Sequence, residues 1–271
     1  MLICTLGDLV LDVIVRPDEP LVAGDDVVAT TRVGAGGQAA NVAAWAVALG
    51  ARARFVGHRG DDAPGRLVQA ELARHGVESL GPAGGRTGVI VAVVGADRDR
   101  SMASDRGSAL ELTAGALEPR WFAGSDWLHV SGYMLAHEDG AGAGAEAARL
   151  AHAAGARVSV DAASATLIQA AGAAVFGSRL AALVPDLLFG TESELAALAA
   201  APAGATVVVK RGARGCRILA GGAPVELPAT PAEAVDATGA GDAFAAGYLV
   251  GGPRLALAAA ARCVSKTGAM P

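Results

Sequence analysis

The residues best placed to do chemistry form the run Asp236-Ala237-Thr238-Gly239-Ala240-Gly241-Asp242, followed at once by the apolar Ala243-Phe244-Ala245-Ala246-Gly247-Tyr248-Leu249. Small residues entering a helix leave backbone N–H groups uncovered, and the aligned peptide dipoles add partial positive charge there. Such a turn is a seat for phosphate. Asp242 falls in the first helical turn beside it, where an ionised carboxylate is favoured and can accept a proton from a hydroxyl. Read alone, the same run is also an ordinary acidic residue opening a helix after a tight loop.

A second run, Gly34-Ala35-Gly36-Gly37, leads into Gln38-Ala39-Ala40-Asn41-Val42-Ala43. Glycines allow a ligand to approach the backbone closely, and Asn41, one turn into the helix, offers an amide that both donates and accepts. Asn41 can equally bond the local backbone alone. The run Gly34 to Ala39 satisfies the G-x-G-x-x-A pattern of dinucleotide sites, but the context argues against one. That fingerprint follows the first strand directly, whereas two further strand-like segments intervene here, and only Asp61 and Asp62 lie about 20 positions on. The five histidines are dispersed, and no Gly-x-Ser-x-Gly occurs. Zinc hydrolysis and a serine nucleophile of that type therefore have no support.

These two runs resemble the signatures of the ribokinase (PfkB) family of carbohydrate and nucleoside kinases. Gly239, Ala240, Gly241 and Asp242 match the catalytic motif residue by residue, as do Asp236 and Thr238 in its lead-in, while Ala237 stands for a common Thr. Gly36 to Ala43, then Leu49-Gly50, Val56-Gly57, Gly60-Asp61-Asp62 and Gly65, resemble the family's other signature. The resemblance implies a three-layer α/β/α fold with a mostly parallel central sheet and a small β-sheet lid.

For the site, the resemblance implies catalysis by Asp242 with Gly239, Ala240 and Gly241. Asp12, Gly36, Gly37, Asn41 and Arg106 would bind the acceptor, with Asp8 competing for the role given to Asp12, and Asp161 would line the cleft. Lys210, Gly212 and Gly215 would join Gly239 and Gly241 at the nucleotide, Lys210 also reading as a solvated strand-end cation. Glu194 would meet magnesium through water, with Thr191 where the family usually carries Asn. An acidic residue in a first helical turn needs no metal, however. ATP and Mg2+ are the expected cofactors, with room for a monovalent cation such as K+. The expected acceptor is a hydroxymethyl group of a small sugar, with a nucleoside as the alternative, and a homodimer through the lid is implied. A non-catalytic relative that keeps only the cleft is a further alternative.

The elements that must hold these residues follow from periodicity and punctuation. Leu2 to Leu6, Val10 to Val15, Val27 to Val33 and Arg54 to Val56 read as strands, and Ala39 to Leu49 and Gly65 to His75 as helices. Gly88 to Val94 runs toward Asp97 and Arg98 as a hairpin. Beyond Asp126, strands at Trp127 to Val130, Arg157 to Val160, Leu187 to Phe189 and Val207 to Val209 alternate with helices near 141–153, 165–183 and 191–199. That alternation predicts βαβ units and a parallel sheet. Cys216 to Leu219 and Pro224 to Leu227 predict a hairpin before two closing helices, from Gly239 and from Leu255. The whole chain, 1–271, is expected to be one α/β domain with lid strands inserted from roughly 10–34 and 86–107.

Composition sets the outer limits. With 52% apolar residues, 18% charged and a net charge of -5, the chain reads as globular, and its scattered basic residues argue against nucleic acid as a partner. The three cysteines suggest neither a disulfide framework nor a zinc site and suit a reducing, cytoplasmic setting. The apolar opening residues lack a basic leader and are broken by Gly7, Asp8 and Asp12, so they read as a strand rather than a signal peptide, and no membrane role is expected.

Overall fold

The computed structural model describes residues 1–95 and 100–271, so the turn expected at Asp97 and Arg98 lies outside the described residues. In chain order the first half holds β1 (Leu2–Leu6), β2 (Val10–Pro17), β3 (Ala29–Gly36), α1 (Gln38–Ala48), β4 (Arg52–Val56), α2 (Ala63–Arg74), β5 (Glu78–Leu80), β6 (Thr87–Val94) and β7 (Arg100–Gly107). The second half holds β8 (Trp127–Ser131), α3 (Glu138–Ala153), β9 (Arg157–Asp161), α4 (Ala165–Ala171), α5 (Ala173–Ala182), β10 (Leu187–Thr191), α6 (Glu192–Ala197) and β11 (Thr206–Lys210). The hairpin β12 (Cys216–Leu219) and β13 (Val225–Leu227) and the helices α7 (Ala240–Gly251) and α8 (Pro253–Val264) complete it.

A nine-stranded sheet runs in the order β13-β12-β11-β10-β9-β8-β1-β4-β5, parallel from β11 to β5 and antiparallel only at the β12–β13 edge. Alternation of side chains along its strands feeds two apolar layers. In β1, Ile3 joins Trp45, Phe189 and Phe244 under α1 and α7, while Cys4 and Leu6 join Leu128, Phe122 and Phe176 under α3 and α5. Three layers, α/β/α, result. The helix expected over 165–183 is instead two, α4 and α5, because Gly172 adopts φ +84° between them. At that angle an α-helix cannot continue. The short β5 was not expected, and β3 lies two to three residues later than its predicted span.

A second sheet, in the order β3-β2-β6-β7, forms the lid. Its register sets Asp12 beside Ile90 and Ala92 beside Met102, so these side chains share the face that looks onto the large sheet. Leu11, Val13 and Val15 alternate to the other face, beside Val89, Val91 and Val93. Among the described residues no helix is long and apolar enough to cross a membrane.

A polar row crosses the centre of the large sheet. Thr5, His129 and Ser159 are aligned neighbours on β1, β8 and β9, all fully buried, with His129 Nδ1 3.0 Å from Ser159 Oγ. Burial drives the His129 imidazole down to about 4, with Asp161 opposing and Lys210 adding to the shift. A depressed histidine contributes stability that is present above its unfolded value of 6.5 and is lost as pH falls toward about 4. Chemical denaturation is expected to show about 3 kcal/mol of acid destabilisation over that window that His129→Gln lacks.

Candidate active site

The C-terminal ends of the parallel strands open into a cleft of about 380 Å³ roofed by the lid. Ligand sites of open α/β sheets form at this edge. Gly7, at the end of β1, turns the chain so that Asp8 enters the cleft, and a side chain at Gly7 would meet Ser131 Cβ at 2.6 Å. The loop before α7 is shaped by Asp236, whose Oδ1 accepts from the Thr238 amide at 2.9 Å and hydroxyl at 2.6 Å. Its Oδ2 accepts from the Gly268 amide at 3.0 Å. Gly239 then takes φ +76° as the N-cap of α7, packed so closely on Ala269 that a Cβ would stand 2.6 Å from that residue's own. Both conformation and space require glycine there.

Asp242 occupies the third helical position, on the cleft floor, and its Oδ2 accepts from Asn41 Nδ2 at 2.7 Å. The bond spans α7 and α1, so the two glycine-led helices converge on one carboxylate. The helix dipole favours an ionised Asp242, and the packing around it acts in the opposite direction. Burial, reinforced by the nearby Asp161 and Asp8, pushes it up to about 8 against the opposing pull of Asn41 and Lys210. Desolvation at the base of the cleft is the largest cause of the shift. A carboxyl of that affinity is matched to taking a proton near neutral pH.

Lys210 ends β11 beside it, its Nζ 2.6 Å from Asp161 Oδ2. Burial lowers the ammonium, yet Asp161, Glu194 and Asp242 together hold it above its ordinary value. It is a fixed positive charge. A Cβ on Gly241 would approach Lys210 Nζ to 3.2 Å, so the glycine keeps the helix end open to that cation. On the acceptor side, Arg106 of β7 pairs with the buried Asp8 and lies 3.5 Å from the centroid of the Tyr133 ring. This joins lid to large sheet through an ion pair and a cation–π contact.

Among the predicted residues, Asp12, Gly37, Asn41, Arg106, Glu194, Lys210, Gly212, Gly239, Gly241 and Asp242 all line this cleft. Gly36 does not; it lies against Asp12, whose carboxylate a Cβ there would overlap, and so supports it. Gly215 and Ala240 line a neighbouring cavity of about 530 Å³ instead. That cavity is walled by apolar residues such as Phe244, Leu257 and Val264 and shares Lys210, Gly212, Ala237 and Gly241 with the cleft. Thr191 caps α6 in a capping box, accepting from the Glu194 amide at 3.3 Å, while Glu194 Oε2 accepts from the Thr191 amide at 2.6 Å. Thr is thus a competent substitute for Asn at a helix start. One Glu194 oxygen is committed to that cap. No group of three or more His, Cys, Asp or Glu side chains among the described residues is arranged to hold a metal.

Gln38, Tyr133 and Ala163 also line the cleft without having been singled out. Ala163 has φ +67°, uncommon for a residue with a side chain. That signal, like the burial of Tyr133, exists only in three dimensions.

A buried carboxyl at a glycine-led helix end, flanked by a fixed cation and an adjoining apolar cavity, is an arrangement suited to a small-molecule kinase of the α/β class. The chain belongs to the pfkB family of carbohydrate kinases, whose model matches residues 1–270. It is 31% identical to an ATP-dependent ribose-1-phosphate kinase of Halopiger xanaduensis, over 91% of this chain and 83% of that one. In fold it is similar to adenosine kinase from Sinorhizobium meliloti, at 24% identity and a TM-score of 0.86, covering 99% of this chain and 95% of that one. A ribokinase II described as putative from E. coli, in complex with ATP and Mg2+, is similar at 20% identity and a TM-score of 0.84, covering 99% and 94% of the two chains.

Proposed function

We propose that this enzyme transfers the γ-phosphoryl group of ATP to a hydroxymethyl group of a small sugar, with Asp242 as general base. The observation that carries the proposal is the Asn41–Asp242 hydrogen bond of 2.7 Å, which holds a proton-accepting carboxylate at the mouth of the α7 anion seat. The chain's residues fit ATP: the apolar cavity suits a nucleobase, and it continues through Gly241 and Lys210 to the helix end, which suits phosphates. Mg2+ fits a site with few protein ligands, where Glu194 would hold it through water and nucleotide phosphates would complete the shell. When bound, MgATP supplies the phosphoryl group and the charge neutralisation that phosphoryl transfer requires.

Asp242 takes the proton as the acceptor oxygen forms its bond to phosphorus and the bond to the leaving ADP oxygen breaks. The opening amides of α7, at Gly239 to Gly241, and the Lys210 ammonium stabilise charge on the moving group. Asn41 holds the base in line, and Asp12, Gly37 and Arg106 border the acceptor. The lid and the large sheet act as one domain.

A homodimer through the lid belongs to the same reading. Its outer face carries half-buried Val13, Val15, Val89, Val91 and Val93 beside an exposed Val33, a surface that association would cover. Light scattering is expected to return twice the chain mass of 26.7 kDa.

The activity is tested by following ADP release and the phosphorus NMR spectrum of the products over a panel of sugars and nucleosides. Phosphorylated sugar is expected. Nucleosides alone as acceptors would move the substrate class, and tight ligand binding with no transfer at all would make this a non-catalytic relative. Running the assay in potassium and in tetramethylammonium buffers reads any dependence on a cation such as K+.

A further inference from the structure

The acceptor end of the cleft is unbalanced in its hydrogen-bonding groups. Asp8 is 2% exposed and Asn41 4%, and the Oδ1 atom of each meets no donor among the described residues. The Gln38 Oε1 atom, on the same cleft, is in the same state. The Asn41 amide is oriented by its own bond, because Nδ2 donates to Asp242 and so leaves the oxygen as the free end. All three atoms are acceptors. Buried acceptors are met by donors, and a sugar hydroxyl provides one where a phosphate oxygen provides none.

The charges point the same way. Beside Asp242, the carboxylates Asp8, Asp12 and Glu194 line the cleft against only Arg106 and Lys210 among its described residues, and each of those cations is already paired, Arg106 with Asp8 and Lys210 with Asp161. An incoming phosphate dianion on the acceptor would meet carboxylates without an unpaired cation among the described cleft residues to receive it. Like charges brought together in a desolvated site repel strongly.

Building on the kinase reading above, we propose that the acceptor is an unphosphorylated polyol giving hydroxyl donors to Asp8 and Asn41, and that Asp8 excludes phosphorylated sugars. Asp8 discriminates twice: its Oδ1 receives a hydroxyl, and its charge keeps Arg106 from serving as a phosphate site. Specificity built on a repulsive element of this kind can be undone by removing the element. It would separate this enzyme from its relative named for ribose 1-phosphate.

The test compares kcat/KM for matched acceptors that each keep a free hydroxymethyl group, ribose against ribose 1-phosphate and fructose against fructose 6-phosphate. The wild type is expected to prefer the unphosphorylated member by ~100-fold or more. Asp8→Asn, which releases Arg106, is expected to shrink that ratio at least ~10-fold, losing activity on the sugar and gaining it on the phosphate. A wild-type preference for the phosphorylated member would overturn the proposal, as would a folded Asp8→Asn enzyme with the ratio unchanged. If Asp8→Asn does not fold, the wild-type ratio decides alone. Turnover of neither member of either pair would instead remove the sugar-kinase reading on which the proposal rests.

Discussion

Asp242→Asn is expected to lower kcat by ~10²–10⁴-fold while leaving the KM for ATP and for the acceptor within a few-fold of wild type. The substitution keeps shape and the contact to Asn41 but removes the only function assigned to the side chain, the uptake of a proton in the transition state. Its effect on stability should be opposite in sign. The native carboxyl is pushed from 3.8 up to about 8, so the native state holds its proton more tightly than the unfolded chain does. Its contribution to stability is therefore complete below pH 3.8 and is lost as pH rises through about 8. The whole shift would be worth about 6 kcal/mol, and water in the open cleft screens part of it. Urea denaturation at pH 9 should find Asp242→Asn more stable than wild type by about 1–3 kcal/mol, a gain that vanishes toward pH 4. A variant that is inactive yet more stable carries the mark of a functional rather than structural acid.

Lys210→Met should harm both folding and catalysis, and the two effects can be separated. Asp161 is 1% exposed and depends on Lys210 for its counter-charge at 2.6 Å. Removing one member of a buried pair strands the other, at a cost of about 3–5 kcal/mol in the denaturation free energy. The double variant Asp161→Asn with Lys210→Met removes both charges and is expected to recover most of that stability. It should not recover activity, because the cation facing Asp242 and the anion seat is still missing, and kcat/KM for ATP should stay ~10²–10³-fold down. Recovery of both together would reduce Lys210 to a structural role.

How much of this was legible in the sequence depended on the range over which each feature is determined. The α7 anion seat and the start of α1 are local: a helix end, its glycines and the residue in the first turn lie within a few positions, so their spacing already defines the device. Asn41 and Asp242 were both identified, but the bond between them crosses 201 positions and exists only because α1 and α7 pack side by side. Asp8 and Arg106, 98 apart, and Asp161 and Lys210, 49 apart, are joined by topology in the same way. Each was picked out singly in the sequence, Asp161 as a cleft residue although it lies buried behind Lys210 and outside the cleft lining, while the pairing that neutralises it was not.

The upward push on the Asp242 carboxyl was hidden for a related reason. A helix dipole is visible in sequence, whereas desolvation is a property of everything packed around the site. The same limit explains Gly36, which sits behind Asp12, and Gly215 and Ala240, which open onto the adjoining cavity. Three-residue β5 is too short to leave a periodic signal, and the break at Gly172 is hidden because alanine-rich helix sequence continues on both sides of it.

The central claim, that Asp242 is the base of a phosphoryl transfer, is tested most directly by the pH dependence of kcat/KM. For wild type the rate of sugar phosphorylation at low substrate concentration should rise with pH and level off above a midpoint near 8, the value to which burial drives this carboxyl. Asp242→Asn should show a low rate without that rise. A wild-type profile flat from pH 6 to 9, or the same ascending limb retained in Asp242→Asn, would contradict the account.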